Sequence, residues 1–71
     1  MEILRLNSEF IRLGQALKAA GLVGNGVDAK FAVQDGLVTV DGETELRRGR
    51  KLYGGEIVEF QGEQIRIEEK I

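Results

Sequence analysis

Residues 47–51 read Arg47-Arg48-Gly49-Arg50-Lys51, four cations in five positions. Cations held in a loop attract phosphate, and a guanidinium grips it through two parallel N–H donors. Gly49, with no Cβ, lets the backbone come close to a ligand. Four phosphate contacts predict a log–log salt slope of roughly −3 to −4 through counterion release. The competing reading is a solvated loop neutralised by carboxylates, Glu43 and Glu45 being near in sequence. The chain as a whole is −2, with ten Lys and Arg against twelve Asp and Glu. Outside the run, six cations face twelve acids, which leaves −6. That asymmetry, more than the total, marks the run as a candidate anion site.

Other residues join it as candidates. Arg12 and Lys18 fall off the apolar face of a first helix, and Lys30 off that of a second. Each serves either an anion contact or ordinary surface solubility. Phe31 sits on the outward side of the second helix beside Val27, Lys30 and Gln34. An aromatic next to a lysine can stack an unpaired base. It can equally cover the glycine loop or the first strand, and burial is the larger gain. Tyr53 follows the basic run, where it either stacks or buttresses the loop as a packed ring. Phe10, Leu52 and Phe60 are assigned to the core. Glu56 to Lys70 carries five acids against Arg66 and Lys70, so this segment is expected to face away from a polyanionic partner.

The composition speaks against catalysis. There is no His and no Cys, hence neither the commonest general base nor the strongest nucleophile. Thiolate and imidazole metal sites are excluded with them. Glu43/Glu45 and Glu68/Glu69 are carboxylate pairs in turn or terminal segments. Gly24-x-Gly26 lacks the strand–loop–helix setting of a dinucleotide site. A 71-residue chain also leaves little room for a pocket of ~300 Å³ or more beside its core. No cofactor or metal is expected. Met1-Glu2-Ile3-Leu4-Arg5 does not read as a secretory leader, and no stretch approaches the ~20 apolar residues of a membrane span. A cytoplasmic protein is expected, without membrane association.

The elements that must hold these residues are read from spacing and punctuation. Residues 2–6 predict a short strand. Asn7 and Ser8 offer N-cap oxygens, and Phe10, Leu13, Leu17 and Ala20 share one helical face. Gly21 ends that helix. A second helix is predicted over Val27 to Asp35, capped by Asn25 or Gly26. Ala29, Ala32 and Val33 form its narrow inner face, and Gly36 its end. The period then switches to two. Leu37 to Val40 is a strand, Asp41-Gly42 a tight turn, and Glu43 to Glu45 the return. The basic run falls in an irregular connection, and Gly54-Gly55 turns the chain. Glu56 to Phe60 and Gln64 to Glu68 make a hairpin around Gln61-Gly62, with Ile65 and Ile67 pointing one way. The fold class is α+β, one domain over residues 1–71. Two N-terminal helices pack on a small, mostly antiparallel sheet.

Ala29-Lys30 followed by Gly36-Leu37-Val38-Thr39-Val40-Asp41-Gly42 resembles the core pattern of the S-four domain, the αL-motif module named after ribosomal small-subunit protein four. Arg12-Leu13 is similar to the Arg-Leu that opens that family's first helix, and Gly55-Glu56-Ile57-Val58 to its closing motif. Leu13-Gly14-Gln15-Ala16-Leu17-Lys18 and Arg47-Arg48-Gly49-Arg50-Lys51-Leu52-Tyr53 resemble the small free-standing bacterial YaaA/YbcJ-like members. Two positions depart from the family: Asn25-Gly26 stands where many members have Ser-Arg, and Gly14 where the first helix has Asp. The resemblance spans roughly residues 10–60 and keeps register across separated motifs. It implies a non-catalytic module that binds structured ribosomal or transfer RNA through the two helices and the loop beside them, and its free-standing members imply a role in ribosome assembly. DNA ranks lower as a partner, and a monomer is assumed. The alternative class is a protein-interaction module docking through a sheet edge or the acidic C-terminal strand.

Overall fold

The computed structural model describes residues 1–71. In chain order the elements are β1 (Glu2–Arg5), β2 (Ile11–Arg12), α1 (Leu13–Ala19), α2 (Gly26–Gln34), β3 (Val38–Val40), β4 (Glu43–Thr44), β5 (Lys51–Leu52), β6 (Ile57–Phe60) and β7 (Glu63–Glu68). Five strands form one sheet in the order β1-β7-β6-β3-β4. All its pairings are antiparallel except β1 with β7. β2 and β5 form a separate antiparallel ribbon.

Alternation along the strands decides which face meets the helices. Val38, Val40, Val58, Ile65 and Ile67 are buried while their strand neighbours are not. The helices cover that face with Leu13, Ala16 and Leu17 from α1 and Ala29, Ala32 and Val33 from α2. Small residues on α2 let the two helices approach closely. Asn25 caps α2, its Oδ1 accepting the Asp28 amide at 2.8 Å. The turns at Asp41-Gly42 and Gln61-Gly62 place both central residues at positive φ (53° and 84°, 53° and 79°). This is the mirror-image turn whose twist matches a hairpin.

The first helix begins later than the apolar spacing predicts. Neither Asn7 nor Ser8 caps it; the Ser8 hydroxyl donates to the Phe10 carbonyl at 3.0 Å. The cause is β5, which pairs with Ile11 and Arg12 and holds them extended. Arg12 becomes the N-cap position, with φ −82° and ψ 150°. Phe10 therefore lies before the helix, half-buried, and is not a core residue. Leu52 and Phe60 are in the core as expected. Lys51, the last residue of the basic run, is a strand residue and not part of an irregular connection. No helix is long and apolar enough to cross a membrane.

Candidate nucleic-acid interface

The basic loop is folded around a buried carboxylate. Glu45 is only 7% exposed. Its Oε2 accepts from Arg47 Nε and from the Arg47 backbone amide, both at 3.0 Å. Its Oε1 accepts from Arg47 Nη2 and Arg50 Nη1, also at 3.0 Å. The Arg47 guanidinium, aided by that amide and by Arg50, outweighs the cost of burial and holds the Glu45 carboxyl down at about 2. Two of the four cations in the run are thus engaged from within the chain, as the neutralised-loop reading expects.

This fold of the loop turns its carbonyls toward α1. The first amides of a helix have no partner inside it. Here Leu13 N–H donates to the Arg50 carbonyl at 2.8 Å and Gly14 N–H to the Arg48 carbonyl at 3.0 Å. Arg12 closes the join, its Nη1 donating to the Gly49 carbonyl at 3.0 Å. The loop is therefore bolted to the start of α1. Arg48 is left with its side chain lying against Gly14: a Cβ there would stand 2.6 Å from Arg48 Cγ and 3.1 Å from Cδ. At Gly49 the nearest atom would be Arg12 Nη1 at 3.6 Å, an ordinary contact. The glycine that close packing requires is Gly14, which charge patterning does not reveal.

Between the loop and the two helices lies a cleft of about 330 Å³ lined by Arg12, Gly14, Gln15, Lys18, Gly26, Ala29, Arg48 and Gly49. Three of these are cations and none is a carboxylate. A groove of this size exceeds what the short chain predicts, because it opens between surface elements and takes no volume from the core. An anion entering it meets Arg12 from the end of β2, Lys18 from α1 and Arg48 from the loop.

Residues 4–68 match the S4 domain. The chain belongs to the S4 domain family. It is 42% identical over 59 residues to RlbA of Bacillus subtilis (strain 168), a protein with a provisional name as a ribosome maturation factor, covering 83% of each chain. It is 35% identical over 57 residues to YbcJ of Escherichia coli (strain K12), provisionally named an RNA-binding protein, covering 80% of this chain and 81% of YbcJ. The solution structure of YbcJ superposes with a TM-score of 0.73 at 32% identity, over 96% of this chain and 87% of that one. That structure is described as containing an αL motif involved in RNA binding. The α+β architecture inferred from spacing is the αL-motif fold.

Within this S4 domain the sequence candidates divide into groups. Arg12, Lys18, Arg48 and Gly49 line the cleft. Arg47 and Arg50 bind Glu45. Lys51 and Tyr53 lie on the β2–β5 ribbon with Phe10, where Lys51 Nζ is 4.7 Å from the Phe10 ring centre. Lys30 is exposed on α2 outside the cleft. Phe31 is elsewhere again, 56% exposed beside Leu22, Val23, Leu37, Asp28 and Asp35. It borders the glycine loop without being buried by it. Gln15, Gly26 and Ala29 also line the cleft, and neither charge nor an aromatic ring marks them in the sequence before the helices bring them together.

Proposed function

We propose that this S4 domain is a non-catalytic RNA-binding module that recognises structured ribosomal RNA and assists ribosome assembly in the cytoplasm, acting as a monomer. The observation that carries the reading is the convergence of Arg12, Lys18 and Arg48 on one cleft free of carboxylates. The names of RlbA and YbcJ support its direction toward RNA and ribosome maturation. Folded RNA is recognised largely by shape and through phosphate and ribose contacts. A cleft whose cations sit on two rigidly joined elements selects a backbone of matching curvature. Arg48 is held against Gly14 and Arg12 against Gly49, so little side-chain freedom is lost on binding. Arg47 and Arg50 act at one remove by fixing the loop through Glu45. Duplex DNA is a poorer fit, because neither helix presents a basic face long enough to read a major groove.

A second reading, a protein-interaction module, draws on the exposed face around Phe31, where Asp28 and Asp35 flank apolar residues. Acids there disfavour RNA and would suit a basic protein segment.

Fluorescence anisotropy with a structured ribosomal RNA fragment, a single-stranded RNA and a DNA duplex, each at low and near-physiological salt, separates the readings. Preference for the structured RNA, lost in the Lys18→Ala/Arg48→Ala variant, supports the first. Equal affinity for all three, or an unaffected variant, overturns it.

A further inference from the structure

Ile11 pairs with Leu52 and Arg12 with Lys51 across the β2–β5 ribbon. Side chains alternate along a strand. Leu52 is fully buried and Ile11 packs against the core. The opposite face therefore carries Arg12 and Lys51, and the flanking Phe10 and Tyr53 join them. The Phe10 and Tyr53 ring centres are 6.0 Å apart with planes inclined at 51°. Lys51 Nζ lies 4.7 Å and Arg12 Cζ 5.6 Å from the Phe10 ring centre. Phe10 is thus wrapped by two cations, and Tyr53 is left 54% exposed beside them.

The backbone under Tyr53 is fixed. Its amide and that of Gly54 both donate to the Glu56 carboxylate, at 2.9 Å and 2.8 Å. Arg12 belongs to this ledge and to the cleft alike, so the two surfaces are continuous. A second groove that Tyr53 borders is lined also by Ser8, Glu9, Glu69 and Lys70. Two carboxylates there disfavour phosphate, which leaves the Arg12–Lys51 side for a nucleic-acid backbone.

We propose that Tyr53, buttressed by Phe10, is a stacking platform for one unpaired RNA base whose neighbouring phosphates lie on Lys51 and Arg12. Aromatic faces stack bases of any identity, and adjacent cations hold the strand against them. The inference rests on the RNA-binding reading above and narrows its target. The target class is a duplex interrupted by an unpaired nucleotide, with the duplex backbone in the cleft and the free base on the ledge.

Two RNA hairpins test this, with the same stem, one continuous and one carrying a single bulged fluorescent adenine analogue. Wild-type protein is expected to bind the bulged hairpin roughly tenfold more tightly, with a change in analogue fluorescence. Tyr53→Leu abolishes both the preference and the fluorescence change while keeping wild-type affinity for the continuous stem. Tyr53→Phe keeps the preference, since the ring does the stacking. Lys18→Ala weakens binding to both hairpins equally. Equal wild-type affinity for the two hairpins, or a preference that survives Tyr53→Leu, overturns the platform and leaves the RNA-binding reading standing. Failure of the wild type to bind either hairpin overturns both.

Discussion

Arg48 lies across the backbone of Gly14 so closely that a methyl group at residue 14 would occupy the space of Arg48 Cγ, 2.6 Å away. A helix ordinarily gains stability when alanine replaces glycine, by up to about 1 kcal/mol. At this position the gain is opposed by displacement of Arg48 from the cleft. Gly14→Ala is expected to leave the melting temperature within a few degrees of wild type and to weaken RNA binding several-fold. Paired thermal melts and RNA titrations check this. Unchanged affinity would mean that the place of Arg48 does not matter for binding.

The cations of the basic loop are expected to behave as two classes. Lys18→Ala/Arg48→Ala removes two phosphate contacts, so the log–log salt slope becomes shallower by roughly 2 with the fold intact. Arg47→Ala removes the main partner of a buried carboxylate, and the dominant effect is a lower melting temperature. Salt titrations and thermal melts on both variants make the comparison. If Arg47→Ala leaves stability unchanged and abolishes RNA binding, the assignment of roles is reversed.

Glu45 makes stability depend on pH in a particular direction. Its carboxyl ionises at about 2 in the fold against an ordinary 4.5. The folded state thus holds that proton less readily than the unfolded chain does. Its contribution is complete above about 4.5 and is lost as pH falls toward about 2. Urea titrations across that window are expected to show a falling midpoint, and Glu45→Gln to show a flatter dependence. An identical slope in the variant would assign the acid sensitivity to another group.

Asn25 links the cleft to the stability of α2. Its side chain satisfies the Asp28 amide at 2.8 Å, and Gly26, the next residue, lines the cleft. Asn25→Ala is expected to cost about 1 kcal/mol. Denaturant unfolding would reveal it, and a neutral result would show that water replaces the cap without loss.

What the sequence makes legible follows from how local each signal is. The alternation of Val38 and Val40 and of Ile65 and Ile67 is visible within a few residues, and these side chains are buried as it predicts. Asp41-Gly42 and Gln61-Gly62 announce their turns for the same reason. The start of α1 is not local. It depends on Lys51 and Leu52 pairing with Arg12 and Ile11, partners about forty positions away, and no spacing around Phe10 records them. The family resemblance at Arg12-Leu13 locates the start correctly where periodicity does not.

The charge of the candidate cleft is legible in the sequence and its division of labour is not. Four adjacent cations look equivalent in one dimension. Glu45, expected in a turn segment, is buried and separates Arg47 and Arg50 from Arg48. Helical spacing puts Phe31 on the outward side of α2, where it lies, but the cover expected for it is absent, because the glycine loop reaches only its edge. Helical spacing assigns Phe10 to the core, and that spacing ceases to apply once residues 11 and 12 are extended.

The parallel pairing of β1 with β7 ties Glu2–Arg5 to residues 65–68, and the Leu6 amide to the Glu68 carbonyl at 2.8 Å. Synthesis proceeds from the N-terminus, so the first strand made waits for the last strand before it has a partner. Until then its apolar residues Ile3 and Leu4, and Leu6 just after it, have no sheet to join. Such long-range closure slows folding relative to local hairpins, and it makes completion of the sheet an event that follows release of β7 from the ribosomal tunnel. The two helices and the β3–β4 hairpin can form before β7 emerges, whereas the edge strand sets the moment at which the domain is whole.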